Sequence, residues 1–244
     1  MADDVTTRTI DLATPDGEMQ CFEARPATPA KRAMIVVQEA FGVNRYIERV
    51  TERFAAAGYD AVAPYFFHRA GGGTASYDDF ASVIPLYEGL SDEGILVDLD
   101  AAFTHLEGLG HSRDAIGMVG FCFGGRVTFL AAARRTFGAA VGFYGGGIVT
   151  PRFEQFPALV GESDALKAAW LGLFGDQDAS IPVEDVEALR GALRDAPVPT
   201  AIVRYGESEH GFFCDERPSF DPKASDDAWA RTTAWFDAHL QPGS

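Results

Sequence analysis

Lysine is scarce in this 244-residue chain: Lys31, Lys167 and Lys223 are the only three. Lysine and arginine together number 20 against 36 aspartates and glutamates, a formal net charge of −16. Such a chain lacks the clustered Lys and Arg that phosphate backbones require, which argues against nucleic acid as a partner. The charge also gives no general steering of anions, so an acidic substrate needs a local positive pocket. Cysteine is sparse too. Cys21, Cys122 and Cys214 are an odd set without C-x-x-C spacing, which argues against a disulfide framework and against a zinc site. The amino-terminal Met-Ala-Asp-Asp-Val is acidic and lacks the apolar stretch of a signal peptide. No apolar run reaches the ~18 residues of a membrane span. The expected setting is a reducing cytoplasm, without membrane partners, in which Cys122 stays a free thiol.

What is present is apolar and regular. Hydrophobic residues make up 47% of the chain, enough for a full core. Neither an internal repeat nor a long linker interrupts it, so 1–244 reads as one domain. Alternation over Thr7–Ala13 and Met19–Ala24, joined at Pro15-Asp16-Gly17, predicts an antiparallel hairpin. Near-continuous apolar runs at Ala33–Gln38, Asp60–Ala63, Ala115–Gly120, Ala139–Tyr144, Ala168–Phe174 and Thr200–Tyr205 read as strands, several buried on both faces. Helices are expected over Tyr46–Ala57, Asp92–Leu109, from Arg126, over Val183–Arg194 and over Asp226–Leu240. Short helical turns interrupted at Pro85 are expected over Tyr77–Leu90. Strands alternating with helices predict an α/β fold: a mostly parallel central sheet with helices on both faces and an antiparallel edge hairpin.

Chemistry concentrates where strands end. Gly120-Phe-Cys122-Phe-Gly124-Gly125 has the G-x-S-x-G nucleophile-elbow pattern with cysteine for serine. The turn lifts the nucleophile above the sheet edge on a strained backbone, which flanking glycines permit. The helix that follows offers unpaired N–H groups and a partial positive charge, favouring a thiolate and an oxyanion. Further along come Asp176 and Asp178 after one strand, and His210 after the last. Nucleophile, acid, base is the α/β-hydrolase chain order. A free thiol is only a few per cent ionised at neutral pH. His210 can take its proton and return it to a leaving group, and a carboxylate behind it fixes its tautomer. Asp178 is favoured for that carboxylate, with Asp176 as the fallback. The Phe123 amide is expected to donate to the oxyanion, with a partner from the loop after the Ala33–Gln38 strand. In that loop Glu39 follows a buried strand, where a carboxylate is costly unless paired. It reads either as a helix-dipole carboxylate or as an acceptor of the Cys122 proton.

Five segments together resemble the dienelactone hydrolase (carboxymethylenebutenolidase) family of α/β-hydrolases. They are Gln38-Glu-Ala-Phe-Gly-Val-Asn44, Gly58-Tyr59 with Ala63-Pro64, Gly120-Phe-Cys-Phe-Gly-Gly125, Gly175-Asp-Gln-Asp178 and Glu209-His-Gly-Phe212. The resemblance implies an α/β-hydrolase fold and a triad of Cys122, His210 and Asp178. It implies that Glu39 pairs with the resting thiol, and that the amides of Ala40 and Phe123 form the oxyanion hole. The implied reaction opens an enol-lactone through a thioester, without metal or cofactor, on a monomer. The family's arginine four residues after the histidine is Cys214 here, and Tyr77–Ile95 holds no arginine where a second is expected. Arg69 matches a further family arginine. A neutral or less acidic ester or lactone suits these residues better than dienelactone. Phe41, Arg69, Tyr144 and Phe212 are the expected pocket residues, with Phe213 and Arg217 nearby. A thiol acyltransferase using the same acyl-cysteine, and a thiol sensor of oxidants or electrophiles, are the alternatives.

Overall fold

The computed structural model describes residues 5–242. Its eight strands form a mixed sheet in the order β1-β2-β4-β3-β5-β6-β7-β8. They are β1 (Val5–Thr14), β2 (Gly17–Pro26), β3 (Arg32–Val37), β4 (Tyr59–Pro64), β5 (Ile116–Phe121), β6 (Ala139–Phe143), β7 (Ala169–Gly175) and β8 (Thr200–Tyr205). The helices are α1 (Arg45–Ala56), α2 (Ile84–Glu88), α3 (Asp92–Gly108), α4 (Phe123–Arg134), α5 (Val183–Ala192) and α6 (Pro222–His239). The described residues divide into two compact units, one from 5–118 with 241–242 and one from 119–240.

In the first unit the expected hairpin is present. β1 and β2 run antiparallel with Thr14 opposite Gly17, leaving Pro15-Asp16 as the turn. Gly17 has φ +126°, a conformation that a side chain resists. β2 is also antiparallel to β4, whereas β3 and β4 run parallel. Every residue of β4 and all of β3 after Arg32 are buried. Successive strand side chains point to opposite faces, so both faces are covered there. Asn44 caps α1 by accepting from the Ile47 amide at 3.1 Å, and Ser91 caps α3 by accepting from Gly94 at 3.1 Å. Pro85 does not break a helix. It sits in the first turn of α2, where its missing N–H costs nothing.

Buried carboxylates in this unit are each held between an arginine and a histidine. Glu23 lies between Arg8 (2.6 Å) and His105 (2.7 Å), and Asp60 between Arg25 (2.9 Å) and His111 (2.8 Å). Burial pushes both carboxyl pKa values up, but the histidine and arginine partners outweigh it and leave both below the ordinary value.

In the second unit β6, β7 and β8 run parallel. β6 and β7 are wholly buried and β8 is half-exposed along its length. α4 is buried from Phe123 to Ala133, and its apolar sequence has no polar stripe to give to water. α6 begins at Pro222, four residues before the position expected from periodicity. Asp221 caps it by accepting from the Ala224 amide at 3.0 Å, and Pro222 occupies the first turn.

Candidate active site

Cys122 stands between β5 and α4 with φ 54° and ψ −113°. Besides Tyr144 (φ 38°) it is the only non-glycine residue at positive φ among the described residues. This strained turn is enforced by close packing. A Cβ on Gly120 would lie 2.1 Å from the Gly124 carbonyl oxygen, and one on Gly125 would lie 2.6 Å from the Phe143 carbonyl oxygen. Neither backbone atom can move aside, so only glycine fits. The Cys122 amide donates to the Phe143 carbonyl (3.0 Å) and its carbonyl accepts from the Gly125 amide (3.0 Å). The cysteine therefore begins an α-helix, with its sulfur at the positive end of the dipole. Its side chain is partly accessible, whereas Cys21 and Cys214 are buried.

The next two residues lie on the loops after β7 and β8. His210 Nδ1 lies 2.6 Å from Asp178 Oδ2. The Asp178 side chain is 1% exposed and that of His210 18%. Asp176, two residues earlier, faces elsewhere: Arg204 grips both its oxygens at 2.7 and 2.8 Å. Only one of the two acids thus meets the imidazole. The loops are stitched together by Gln177, whose amide donates to the Ser208 carbonyl (3.0 Å) and whose side chain donates to the Gly206 carbonyl (2.8 Å). Gly211 follows the histidine at φ +81°, with the Arg217 guanidinium 2.6 Å from where a Cβ would stand.

These contacts set the charges. Burial pulls the His210 pKa down. The negative sulfur of Cys122 and hydrogen bonds to Asp178 and Cys122 outweigh that and raise it from 6.5 to about 10. Burial likewise pushes Asp178 up, but His210 and the Ser180 hydroxyl and amide bring it below the ordinary carboxylate value. Near neutral pH these directions favour an imidazolium on His210 beside an ionised Asp178.

Glu39 and Ala40 belong to the first unit, in the loop after β3. Glu39 is fully buried. Tyr77 donates its hydroxyl to Glu39 Oε2 at 2.7 Å, and the Tyr77 ring meets Phe41 edge-on at 4.8 Å. Asn44, not Glu39, caps α1. Gly42 bridges back to Glu39 at φ +85°, against the Gly73 carbonyl. Tyr77 was not expected as the partner of Glu39. They lie 38 residues apart, and no local pattern links them. Arg69 is committed within the same unit, donating to both oxygens of the fully buried Asp98 at 2.7 and 2.8 Å and to Asp16 at 2.9 Å. Its pKa is raised, chiefly by the bond to Asp98.

The expected aromatics divide between site and core. Tyr144 is buried with its ring 5.0 Å from that of His210, and Phe212 packs against Tyr144 at 5.4 Å and Tyr205 at 5.0 Å. Phe213 stacks on Phe121 at 5.6 Å. Phe123 leans on Phe156 at 5.2 Å. Ser180 is a further residue that sequence reasoning missed. Its hydroxyl donates to Asp178 Oδ1 at 2.5 Å and its amide to the same oxygen at 2.8 Å. The turn Asp178-Ala-Ser180 was the available signal, because an aspartate often accepts from the backbone two residues on. Among the described residues, no group of three or more His, Cys, Asp or Glu is arranged to hold a metal ion. None of their helices is long and apolar enough to cross a membrane.

Residues 19–240 match the model of the dienelactone hydrolase family. A Synechocystis sp. protein bearing the name carboxymethylenebutenolidase is 34% identical, covering 99% of this chain and all of its own length. A Salmonella typhimurium protein of the same name is 37% identical, over 90% of this chain and 82% of its own. A crystal structure from Klebsiella pneumoniae, named for dienelactone hydrolase, superposes with a TM-score of 0.87 at 33% identity, covering 96% of this chain and 99% of that one. The strand order, the glycine-bracketed elbow and these matches across nearly the whole length agree. The chain belongs to the dienelactone hydrolase family of α/β-hydrolases.

Proposed function

We propose that this protein hydrolyses a carboxylic ester or an enol-lactone through an acyl-thioester on Cys122, within a single domain spanning 1–244. The observation that carries the reading is the 2.6 Å bond from His210 Nδ1 to Asp178 Oδ2, beside a cysteine on a strained elbow. The Cys122 thiolate attacks the substrate carbonyl carbon, and the carbonyl electron pair moves onto oxygen. The Phe123 amide at the start of α4 donates to that oxyanion; one such donor is typically worth about 3 kcal/mol. As the oxyanion collapses, the ester C–O bond breaks and His210 gives its Nε2 proton to the departing alkoxide or enolate. Water then attacks the thioester while His210 takes its proton. The acid leaves, and thiolate and imidazolium are restored. Asp178 keeps Nδ1 protonated throughout, so that Nε2 works on the reacting atoms.

Glu39 and Ala40 enter this proposal through the family motif Gln38–Asn44. Glu39 is read as helping to deprotonate the thiol, and Ala40 as the second oxyanion donor. No step calls for a metal or cofactor. The relatives' name specifies a lactone that carries a carboxymethylene group. In this chain Arg69 is held by Asp98 and Asp16, and position 214 is cysteine. A neutral or weakly acidic ester or lactone is therefore the proposed substrate.

The test follows the ultraviolet absorbance of cis- and trans-dienelactone, and of a panel of neutral lactones and aryl esters, with the Cys122→Ala protein as blank. Cys122-dependent turnover is expected, fastest on the neutral compounds. A folded protein that alkylates rapidly at Cys122 yet turns over none of them would sink the reading in favour of a thiol sensor.

A further inference from the structure

Asp178 uses its two carboxylate oxygens for different tasks. Oδ2 accepts from His210 at 2.6 Å, while Oδ1 accepts from the Ser180 amide at 2.8 Å and the Ser180 hydroxyl at 2.5 Å. A carboxylate rotates about its last bond unless both ends are held. The backbone amide holds Oδ1 by one contact, and the hydroxyl adds a second to the same oxygen. Ser180 Oγ is also 3.4 Å from His210 Nδ1, so serine, aspartate and imidazole form one compact group. With its hydrogen given to Asp178, the serine oxygen has only lone pairs left for the imidazole N–H. That contact is long beside the 2.6 Å bond and does not compete with it.

Ser180 is itself held from outside. Arg152 donates from Nη2 to the Ser180 carbonyl oxygen. The Arg152 guanidinium lies against Gly146, where a Cβ would come 2.2 Å from its Cζ. Only glycine lets the guanidinium lie so close to that loop. A linear series results: Arg152 to the Ser180 carbonyl, the Ser180 hydroxyl to Asp178, and Asp178 to His210.

We propose that Ser180 is a positioning residue, whose hydroxyl fixes the rotation of Asp178 so that Oδ2 stays on His210 Nδ1, with Arg152 as the clamp on the serine backbone. This rests on the proposed roles of His210 and Asp178. Ser180 is solvent-exposed, so replacing it leaves the core intact. The role belongs to the hydroxyl and not to bulk, because threonine keeps the hydroxyl and alanine removes it.

The experiment compares wild type, Ser180→Ala and Ser180→Thr by two readouts. One is the low-field proton NMR signal of the imidazole N–H, assigned to His210 by its loss in His210→Gln. The other is steady-state turnover of the best neutral ester. In Ser180→Ala the signal moves upfield or broadens away, and kcat falls roughly tenfold with KM within about twofold, the scale of one hydrogen bond to a charged group. Ser180→Thr keeps the signal and most of kcat. An unshifted signal in Ser180→Ala overturns the proposal, as does a threonine variant no better than alanine. If wild type turns over no ester, the hydrolase reading fails, while the NMR comparison still decides the role of Ser180.

Discussion

Replacing Asp178 with asparagine keeps the shape of the side chain and removes its charge. In the folded protein the His210 pKa rises from 6.5 to about 10. At ~1.4 kcal/mol per pH unit, that difference corresponds to roughly 5 kcal/mol favouring the imidazolium. The Cys122 charge is the largest favourable cause and the Asp178 hydrogen bond the next. A hydrogen bond to a charged group is worth about 2 kcal/mol, which corresponds to a loss of about 30-fold. Asparagine also presents an N–H to Nδ1, which favours the tautomer whose proton is on the wrong nitrogen; in a serine triad this costs about 10⁴. The expected loss in kcat/KM at neutral pH therefore lies between about 30-fold and 10⁴-fold. It comes with a descent of the basic limb of the pH profile, because less support is left for the proton on His210. The assay is turnover of a neutral aryl ester from pH 6 to 11, with circular dichroism to confirm folding. Asp176→Asn is the control, since its carboxylate faces Arg204; a change below about threefold is expected there. A loss under tenfold in Asp178→Asn with an unmoved basic limb would refute the reasoning, as would a larger loss in Asp176→Asn.

Three other outcomes are expected. Cys122→Ala abolishes hydrolysis while its melting temperature stays near that of wild type; undiminished esterase activity in this variant removes the whole mechanism. Gly120→Ala pushes a methyl to 2.1 Å from a backbone oxygen and costs about 3 kcal/mol or more, roughly 6–12 °C in melting temperature. Gly58→Ala, which meets nothing within 4 Å but has φ +95°, costs about 1–2 kcal/mol; equal losses in the two would discredit the packing account. The third concerns pH and stability. The raised pKa of His210 means that its contribution is complete below about pH 6.5 and is lost as pH climbs through about 10. Asp178, shifted the other way, contributes above its ordinary value and loses that as pH falls through its lower folded value. The difference in melting temperature between wild type and His210→Gln should shrink towards alkaline pH, and a constant difference from pH 6 to 11 would contradict the linkage.

Much of this protein was legible in its residues. The apolar runs read at Ala33–Gln38 and Ala168–Phe174 fall on β3 and β7, because an unbroken apolar stretch can be satisfied only with both faces covered. Gly120, Cys122 and Gly125 mark the elbow because glycine answers a local steric demand that the chain states at short range. The order of Cys122, Asp178 and His210 is equally a property of the chain. Helix ends were read less well: the starts of α2 and α6 depend on Pro85 and on the Asp221 cap, which outrank apolar periodicity.

What the tertiary structure decided is which charge meets which. Asp176 and Asp178 differ by two positions, yet one faces Arg204 and the other His210. Arg69 matches a family arginine in sequence, but Asp98, 29 residues away, takes its guanidinium. Tyr77 reaches Glu39 across 38 residues, and Arg152 reaches Ser180 across 28. A hydrogen bond is a short-range contact between groups that are distant in the chain. Periodicity reports only which face of an element is apolar, so no local pattern encodes these partners. Only the packed strands and loops bring them within 3 Å, and that distance determines which carboxylates lie against a histidine and which are held by arginine.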